Sequence, residues 1–492
     1  MSRSPLKNDD ELSHSLLISA DSEGEEQSID NADPFVIRRS DSFSCCRFTR
    51  IEVLLKRLEN ERTEDKNELD HIAQKIEAPT GAPAIPRFIP RKEVADIDCG
   101  RVLRGDEEYA KSVKNRKLVP VPPENIDMSC EGIRSRILPA RMANEGFPVA
   151  YAKIVYTDYE FLEGELATNY AAENWYCFAL DSKAPISFRR HFVALETCLP
   201  NVVLINAEYN TDSAGHFENH AHFDCVQLLR QRKWEYFVFL QNHDVMLKTH
   251  GDIVSILKAL DGADDMELMK CPGDGRCANL EMNLGNLTLC PKSFSGEQAE
   301  ACRKASVVWG KGSVQVSLSR RTSLYILENI NYTALRDELN HNNYGIDEIL
   351  VQTLVVTREL GLPGGYPPRC LPPGPQTVNN HVFMTRLSHW GAHDPSCPSG
   401  NWRHSICVFG IQDLPYLARA DYIMANKMIP DTDYGIVSCI SELLFNRSTK
   451  GQVDAPLNMK VYENMPLVQF NKGLKAIPDF YDTYTCPKTS SG

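Results

Sequence analysis

Two adjacent acids, Asp347 and Glu348, stand in NYGIDEILVQTL (343–354), between a turn-like Asn-Tyr-Gly and an apolar run. Two chemistries suit such a pair. Carboxylates are common at helix starts, where unpaired N–H groups and the dipole favour negative charge. A carboxylate is also a general base that takes a proton from a substrate hydroxyl. Two further acids, Asp181 in FALDSK and Asp244 in LQNHD, each end an apolar run of strand length. There an acid either caps the next helix or faces a ligand, since open parallel sheets bind ligands beyond the carboxyl ends of their strands.

The elements that must position these residues follow from hydrophobic periodicity. FPVAYAKIVYT, NWYCFALD, NVVLINAEY and WEYFVFLQNHD read as strands. They alternate with helix-period segments, DYEFLEGELATNYAA, ISFRRHFVALETCL and HFENHAHFDCVQLLRQRK. Four strands separated by three helices predict a parallel, doubly wound α/β sheet. It carries Asp181 and Asp244 on one edge. No G-x-G-x-x-G follows the first strand, and neither a P-loop nor a G-x-S-x-G elbow occurs, which disfavours dinucleotide, P-loop and serine-hydrolase chemistry.

Ahead of the sheet the chain changes character. Residues 1–45, rich in Ser, Asp and Glu, read as a disordered tail. Residues 46–98 read as a stem, with an amphipathic helix over 51–76 suited to self-association and a Pro-rich linker, APTGAPAIPRFIP. Residues 99–146 lead into a globular domain over 147–492. The whole chain has 492 residues, 42% apolar and 24% charged, with a net charge of −13. Such a balance is that of a globular protein and excludes the basic footprint of a nucleic-acid binder.

Sixteen cysteines without a C-x-x-C pair argue against a zinc ribbon. Together with glycosylation acceptor patterns at Asn286, Asn331 and Asn446, they favour an oxidising compartment. No apolar run of about 18 residues and no signal-peptide pattern is visible in the sequence.

The segments CGRVLRGD, WYCFALDSK, QNHDVMLKT, GKGSVQVSLSR, GIDEILVQTL, RHSICVFGIQDL and MANKMIPDTD fall in order from about Cys99 to Cys439. In sequence and order they resemble the core-2/I-branching β-1,6-N-acetylglucosaminyltransferases, glycosyltransferase family fourteen with its Branch domain. The resemblance implies a GT-A fold with a Rossmann-like nucleotide-binding sheet. It implies disulfides Cys99–Cys439, Cys130–Cys198, Cys177–Cys225 and Cys397–Cys407, and leaves eight cysteines unassigned. By the same resemblance Glu348 is the general base of an inverting transfer, with Asp347 its neighbour or a helix cap.

On the donor side, the resemblance implies UDP-GlcNAc held without a metal cofactor. Where many GT-A enzymes carry a metal-binding Asp-x-Asp, LQNHD has a single Asp244, counted here with the nucleotide-sugar contacts. Lys427 in ANK matches a basic residue that offsets phosphate charge. A second falls on Arg403 or His404, depending on which flanking cysteine is counted from, and Arg403 suits bidentate phosphate binding better. Asp181 matches a contact to the uridine.

The acceptor side departs from the pattern. An acceptor-binding Glu falls on Met269, although Glu267 lies two residues earlier. Trp390 is kept, the Tyr beyond it is Ala392, and Arg276 represents two basic residues only loosely. The implied function is β-1,6 transfer of GlcNAc to the 6-hydroxyl of an O-glycan on a glycoprotein. Its alternatives are a peptide O-xylosyltransferase-like enzyme and a non-catalytic glycan-binding relative. The family's residence is the Golgi membrane, an expectation that the sequence itself supports with no visible membrane segment.

Overall fold

The apolar runs that read as strands pair into one sheet. In the computed structural model, β1 (Val149–Val155), β2 (Trp175–Leu180), β3 (Val202–Leu204) and β4 (Tyr236–Leu240) run parallel. Residues 87–139, 144–272, 277, 282–341, 344–374, 382–391 and 396–487 are described. The predicted tail over 1–45, the helix over 51–76 with its self-association, Cys45, Cys46, Arg276 and Ala392 lie outside them.

The helices Tyr159–Asn169, Ile186–Cys198 and Glu218–Leu229 connect the four strands. Next come three two-residue strands, β5 (Val245–Met246), β6 (Met269–Lys270) and β7 (Gly310–Lys311), before β8 (Ser317–Ser319) closes the sheet antiparallel to β4. The spatial order is β3-β2-β1-β4-β8. From β1 the chain winds first toward β3 and then crosses to β4. The switch point is therefore the crevice between the carboxyl ends of β1 and β4.

Burial explains why these runs are so apolar. Every residue of β1 and of β4 is buried, as expected for a sheet covered on both faces. Successive side chains point to opposite faces, and the core divides accordingly. Val149, Tyr151, Val155 and Val238 belong to one cluster, and Ala150, Ala152, Ile154, Phe237 and Phe239 to the other. Val94, Val102, Ala110, Ile133 and Ile137, upstream of β1, lie in the first of these clusters. The lead-in is thus part of the same core as the sheet.

A second, smaller sheet completes the site side. β9 (Arg386–Leu387) and β12 (Met424–Ala425) run parallel to each other, and β5 pairs antiparallel with β12. β10 (Trp402–Arg403) and β11 (Ile406–Cys407) form a hairpin. Its two turn residues, His404 and Ser405, have φ of 51° and 64°, the left-handed pair that lets a two-residue turn follow strand twist.

The four expected disulfides are all present. Three more join Cys271 to Cys277, Cys290 to Cys302 and Cys370 to Cys486. Cys99 and Cys439 are 340 positions apart, and their bond ties the first helix of the lead-in to the helix Tyr434–Lys450. No helix among the described residues is long and apolar enough to cross a membrane.

Two of the glycosylation patterns lie on the surface, where Asn331 donates a hydrogen bond to Thr288, the threonine of the Asn286 pattern. The third expectation is corrected. Asn446 sits inside the helix Tyr434–Lys450 with its Oδ1 enclosed, whereas an acceptor needs an accessible asparagine in a surface loop.

Candidate active site

Beyond the carboxyl ends of β1 and β4, Tyr156 and the stretch Gln241–Asn242–His243 line an open cleft of about 280 Å³. Asn242 Oδ1 accepts from the backbone N–H groups of Tyr156 and Thr157, tying the two strand ends together. Asp181, Arg403, His404 and Lys427 line the same cleft. Four residues spread over nearly 250 positions of sequence therefore converge at the switch point.

They arrive on three different elements. Asp181 follows β2, and its carboxylate accepts from the backbone N–H and hydroxyl of Thr211, holding the 211–213 segment that lines the cleft. Lys183, which the sequence reading did not single out, also lines the cleft and pairs with Asp181 at 3.6 Å. Arg403 and His404 lie on the exposed hairpin, which Cys397–Cys407 braces at its base. Both face the cleft, so both of the positions left open earlier are placed there.

Lys427 follows β12 and is half-buried. Burial holds its ammonium below the ordinary lysine range, and the nearby Arg403 and Arg386 guanidinium groups add to this, with Asp244 and Glu218 opposing. A lysine crowded by two arginines is positioned for an anion of more than one charge.

Asp244 is corrected. It is 2% exposed and lies beneath the cleft instead of lining it. Its carboxylate accepts from Gln315 at 3.0 Å, from Asn426 at 2.7 Å and from the Gln241 backbone at 2.6 Å. Its work is to hold Asn426, and hence Lys427, against the end of β4. The two Asp-x-Asp sequences of the chain, Asp96–Asp98 and Asp431–Asp433, lie elsewhere, and their second acids, Asp98 and Asp433, each cap a helix. Among the described residues no group of three or more His, Cys, Asp or Glu is placed to hold a metal ion.

The acids of the opening question lie just before the helix Leu350–Val356, whose N-cap is Ile349. Neither acid is in its first turn, and Asp347 is not its cap. Asp347 is buried and shares a hydrogen bond with Glu218, which lines the cleft. Gln241 donates to Glu218 at 2.7 Å and accepts from Gln315 at 3.0 Å, and Gln315 in turn donates to Asp244. A buried chain of polar side chains therefore runs from the Asp347 turn to the segment carrying Lys427. Such networks are rigid when every member is satisfied.

Glu348 points the other way. It is half-buried and forms an ion pair with Lys311 at 2.5 Å. Lys311 lies on β7 between two glycines that admit no side chain: a Cβ on Gly312 would overlap the Glu267 carbonyl, and one on Gly310 would press on the Gln352 backbone. Close approach on both sides thus seats Lys311 between Glu348 and the Glu267 segment. Burial raises the Glu267 carboxyl, with Arg386 and Lys311 opposing and Glu348 reinforcing the shift.

Glu267, Glu348, Lys311 and Arg386 therefore form a second cluster beside the cleft. Met269, cross-strand from Lys311, is buried at its edge. Trp390 bridges to Ile406 and is half-buried behind the hairpin.

A family model described as Core-2/I-Branching enzyme matches residues 149–418, more than half of the chain. The chain belongs to the core-2/I-branching enzyme family. Among its relatives is a beta-1,3-galactosyl-O-glycosyl-glycoprotein beta-1,6-N-acetylglucosaminyltransferase of bovine herpesvirus 4. It is 26% identical over 379 residues, 72% of this chain and 84% of that one. The human enzyme named beta-1,3-galactosyl-O-glycosyl-glycoprotein beta-1,6-N-acetylglucosaminyltransferase 3 is 25% identical over 392 residues, 74% of this chain and 86% of that one. The span matched to the branching-enzyme family starts at β1 and contains both arms of the polar chain, Glu218 and Asp347, while Lys427 lies just beyond it.

Glu218, Lys183, Lys311 and Arg386 of this branching-enzyme site were not singled out from the sequence. Only Lys311 carried a local signal, its flanking glycines.

The Glu218–Asp347 pair has a measurable consequence. Burial pushes the Glu218 carboxyl up to about 7, against the hydrogen bonds of Gln241 and Asp347, and holds Asp347 well above its ordinary value, where the charge of Glu218 adds to the shift. Asp244 and Asp212 face Glu218 as further negative groups, and Lys311 faces Asp347 as a positive one. A carboxyl raised on folding stabilises the protein below its unfolded value and loses that contribution as pH rises through the folded one. The contribution of these carboxyls to thermal stability should therefore fall between pH 5 and pH 8, while His222 and His243, held by burial below the ordinary histidine value, act in the opposite direction over the lower part of that window. Glu165 and Asp413, also raised to about 7 by burial, contribute to the same slope. In Glu218→Gln, unfolding followed by circular dichroism should show a shallower fall across this window; an unchanged slope would dissociate Glu218 from it.

Proposed function

We propose that the protein is an inverting β-1,6-N-acetylglucosaminyltransferase that moves GlcNAc from UDP-GlcNAc to the 6-hydroxyl of an O-glycan acceptor without a metal. The observation that carries this reading is the division of the site. A cleft at the sheet's switch point gathers Arg403, His404 and Lys427, and a half-buried carboxylate, Glu348, stands beside it in a separate acid–base cluster.

The chemistry needs both halves. A sugar hydroxyl is a poor nucleophile, so Glu348 takes its proton as the oxygen attacks the anomeric carbon from the side opposite UDP. The bond from that carbon to the diphosphate oxygen breaks, and Lys427 and Arg403 offset the charge left on UDP. Asp181 and the 211–213 segment suit the nucleoside end. The names of the relatives support the sugar and the linkage. Met269, a buried thioether in place of a hydrogen-bonding acid, supports an acceptor preference of this chain's own, since hydroxyl recognition depends on such partners. The seven disulfides among the described residues support a lumenal site of action, which we place in the Golgi.

The test is transfer from a panel of radiolabelled UDP-sugars to simple O-glycan acceptors with EDTA present. EDTA-resistant transfer of GlcNAc is expected. Transfer of xylose to a serine peptide instead, or UDP binding with no transfer from any donor, would overturn the reading.

A further inference from the structure

Arg386 is a charged side chain of the site that is buried without an ion-pair partner among the described residues. It is 6% exposed, and its Nε is enclosed without a hydrogen-bond partner. No carboxylate among the described residues forms an ion pair with it. Glu267 feels it only at longer range, and so does Lys427 on the other side. The register sets this position: β9 pairs Arg386 with Met424 and Leu387 with Ala425, two residues before Lys427 on the neighbouring strand. A guanidinium taken out of water without a partner is costly to the folded state, and a conserved volume of apolar side chain would serve packing better. An arginine in such a place suits a bidentate oxyanion ligand.

We infer that Arg386 is a substrate-binding residue that grips an anionic oxygen between Lys427 and the Glu348 cluster, the donor diphosphate being its source. The inference rests on the donor reading given above. It places a third cation, after Lys427 and Arg403, on the side of the diphosphate that faces the acid–base cluster, where the departing oxygen must be held as the sugar leaves it.

The full chain can be titrated calorimetrically with UDP and with inorganic pyrophosphate, comparing wild type with Arg386→Gln and Arg386→Lys, and each apo protein melted in parallel. Arg386→Gln should weaken UDP and pyrophosphate at least about tenfold, as expected for loss of a charge-assisted contact. Arg386→Lys should recover part of the loss. The melting temperature of the apo Gln variant should stay level or rise, because an uncompensated buried charge has been removed. Unchanged UDP and pyrophosphate affinity with a lowered melting temperature would make Arg386 a structural residue and overturn the inference. Unchanged UDP affinity with a raised KM confined to carboxylate-bearing acceptors would move the anionic oxygen to the acceptor and overturn the diphosphate assignment. A wild-type protein that binds neither UDP nor pyrophosphate would overturn the donor reading itself, a different failure from loss of contrast between variants.

Discussion

Glu348→Gln should lose sugar transfer by a factor of about 10²–10⁴, the usual contribution of a positioned general base, while UDP binds as in wild type. The asymmetry follows from where the carboxylate lies. Glu348 is outside the residues that line the switch-point cleft, so removing its charge leaves the donor contacts in place. Glutamine keeps the shape and can still accept a hydrogen bond from Lys311, the present partner of Glu348. Folding should therefore survive, and the melting temperature is the control. Asp347→Asn gives the contrast. Its carboxyl faces Glu218 and the polar chain, so its effect should fall on stability and its pH dependence before the chemical step. Equal rates for wild type and Glu348→Gln at saturating donor and acceptor would remove Glu348 from the base role.

The second large effect is at the leaving group. Lys427→Ala should lower kcat/KM by about 10²–10³, the cost of deleting one preorganised donor at a site of developing charge. It should also weaken UDP in parallel. Burial and two arginines already hold the Lys427 ammonium below its ordinary range; a diphosphate reverses that field, so donor binding by wild type should take up protons at alkaline pH. Calorimetry in buffers of different ionisation enthalpy reads this uptake directly. Arg403→Ala should approach the lysine variant, and His404→Ala should cost less, because only the guanidinium stays charged across the working pH. The reverse ranking would assign the phosphate contact to His404.

Legibility of the fold followed the length of its elements. Four runs of strand length with three helices between them carry two clear periods, so the parallel sheet and the edge that opens into the cleft could be read directly, and the motif resemblance supplied four of the disulfides. The second sheet could not be read. β5, β9 and β12 have two residues each, too short for any alternation, and their pairing joins segments far apart in the chain. Arg386 was invisible for that reason.

Asp244 shows the opposite error. An acid at a strand end has the local signature of a ligand contact, but Gln315 and Asn426 reach it from 71 and 182 positions away and occupy its oxygens from within. Nothing near Asp244 in the chain reports those partners. Glu218 was read as part of a helix period, and only the approach of the Asp347 turn turns it into half of a proton-sharing pair.

The bond between Cys99 and Cys439 also sets how the domain bears load. Tension entering from the N-terminal side meets Cys99 in the first helix of the lead-in and crosses there, through a covalent link, to the helix Tyr434–Lys450. The 340 positions between the two sulfurs are bypassed. A pull between the two ends crosses this clasp without threading the loop, and the second bond, Cys370–Cys486, is where the segment after Cys439 is tied back into the loop. In a force spectrometer the oxidised protein should give a contour-length gain limited to the segments outside the loop, and reductant should release the rest.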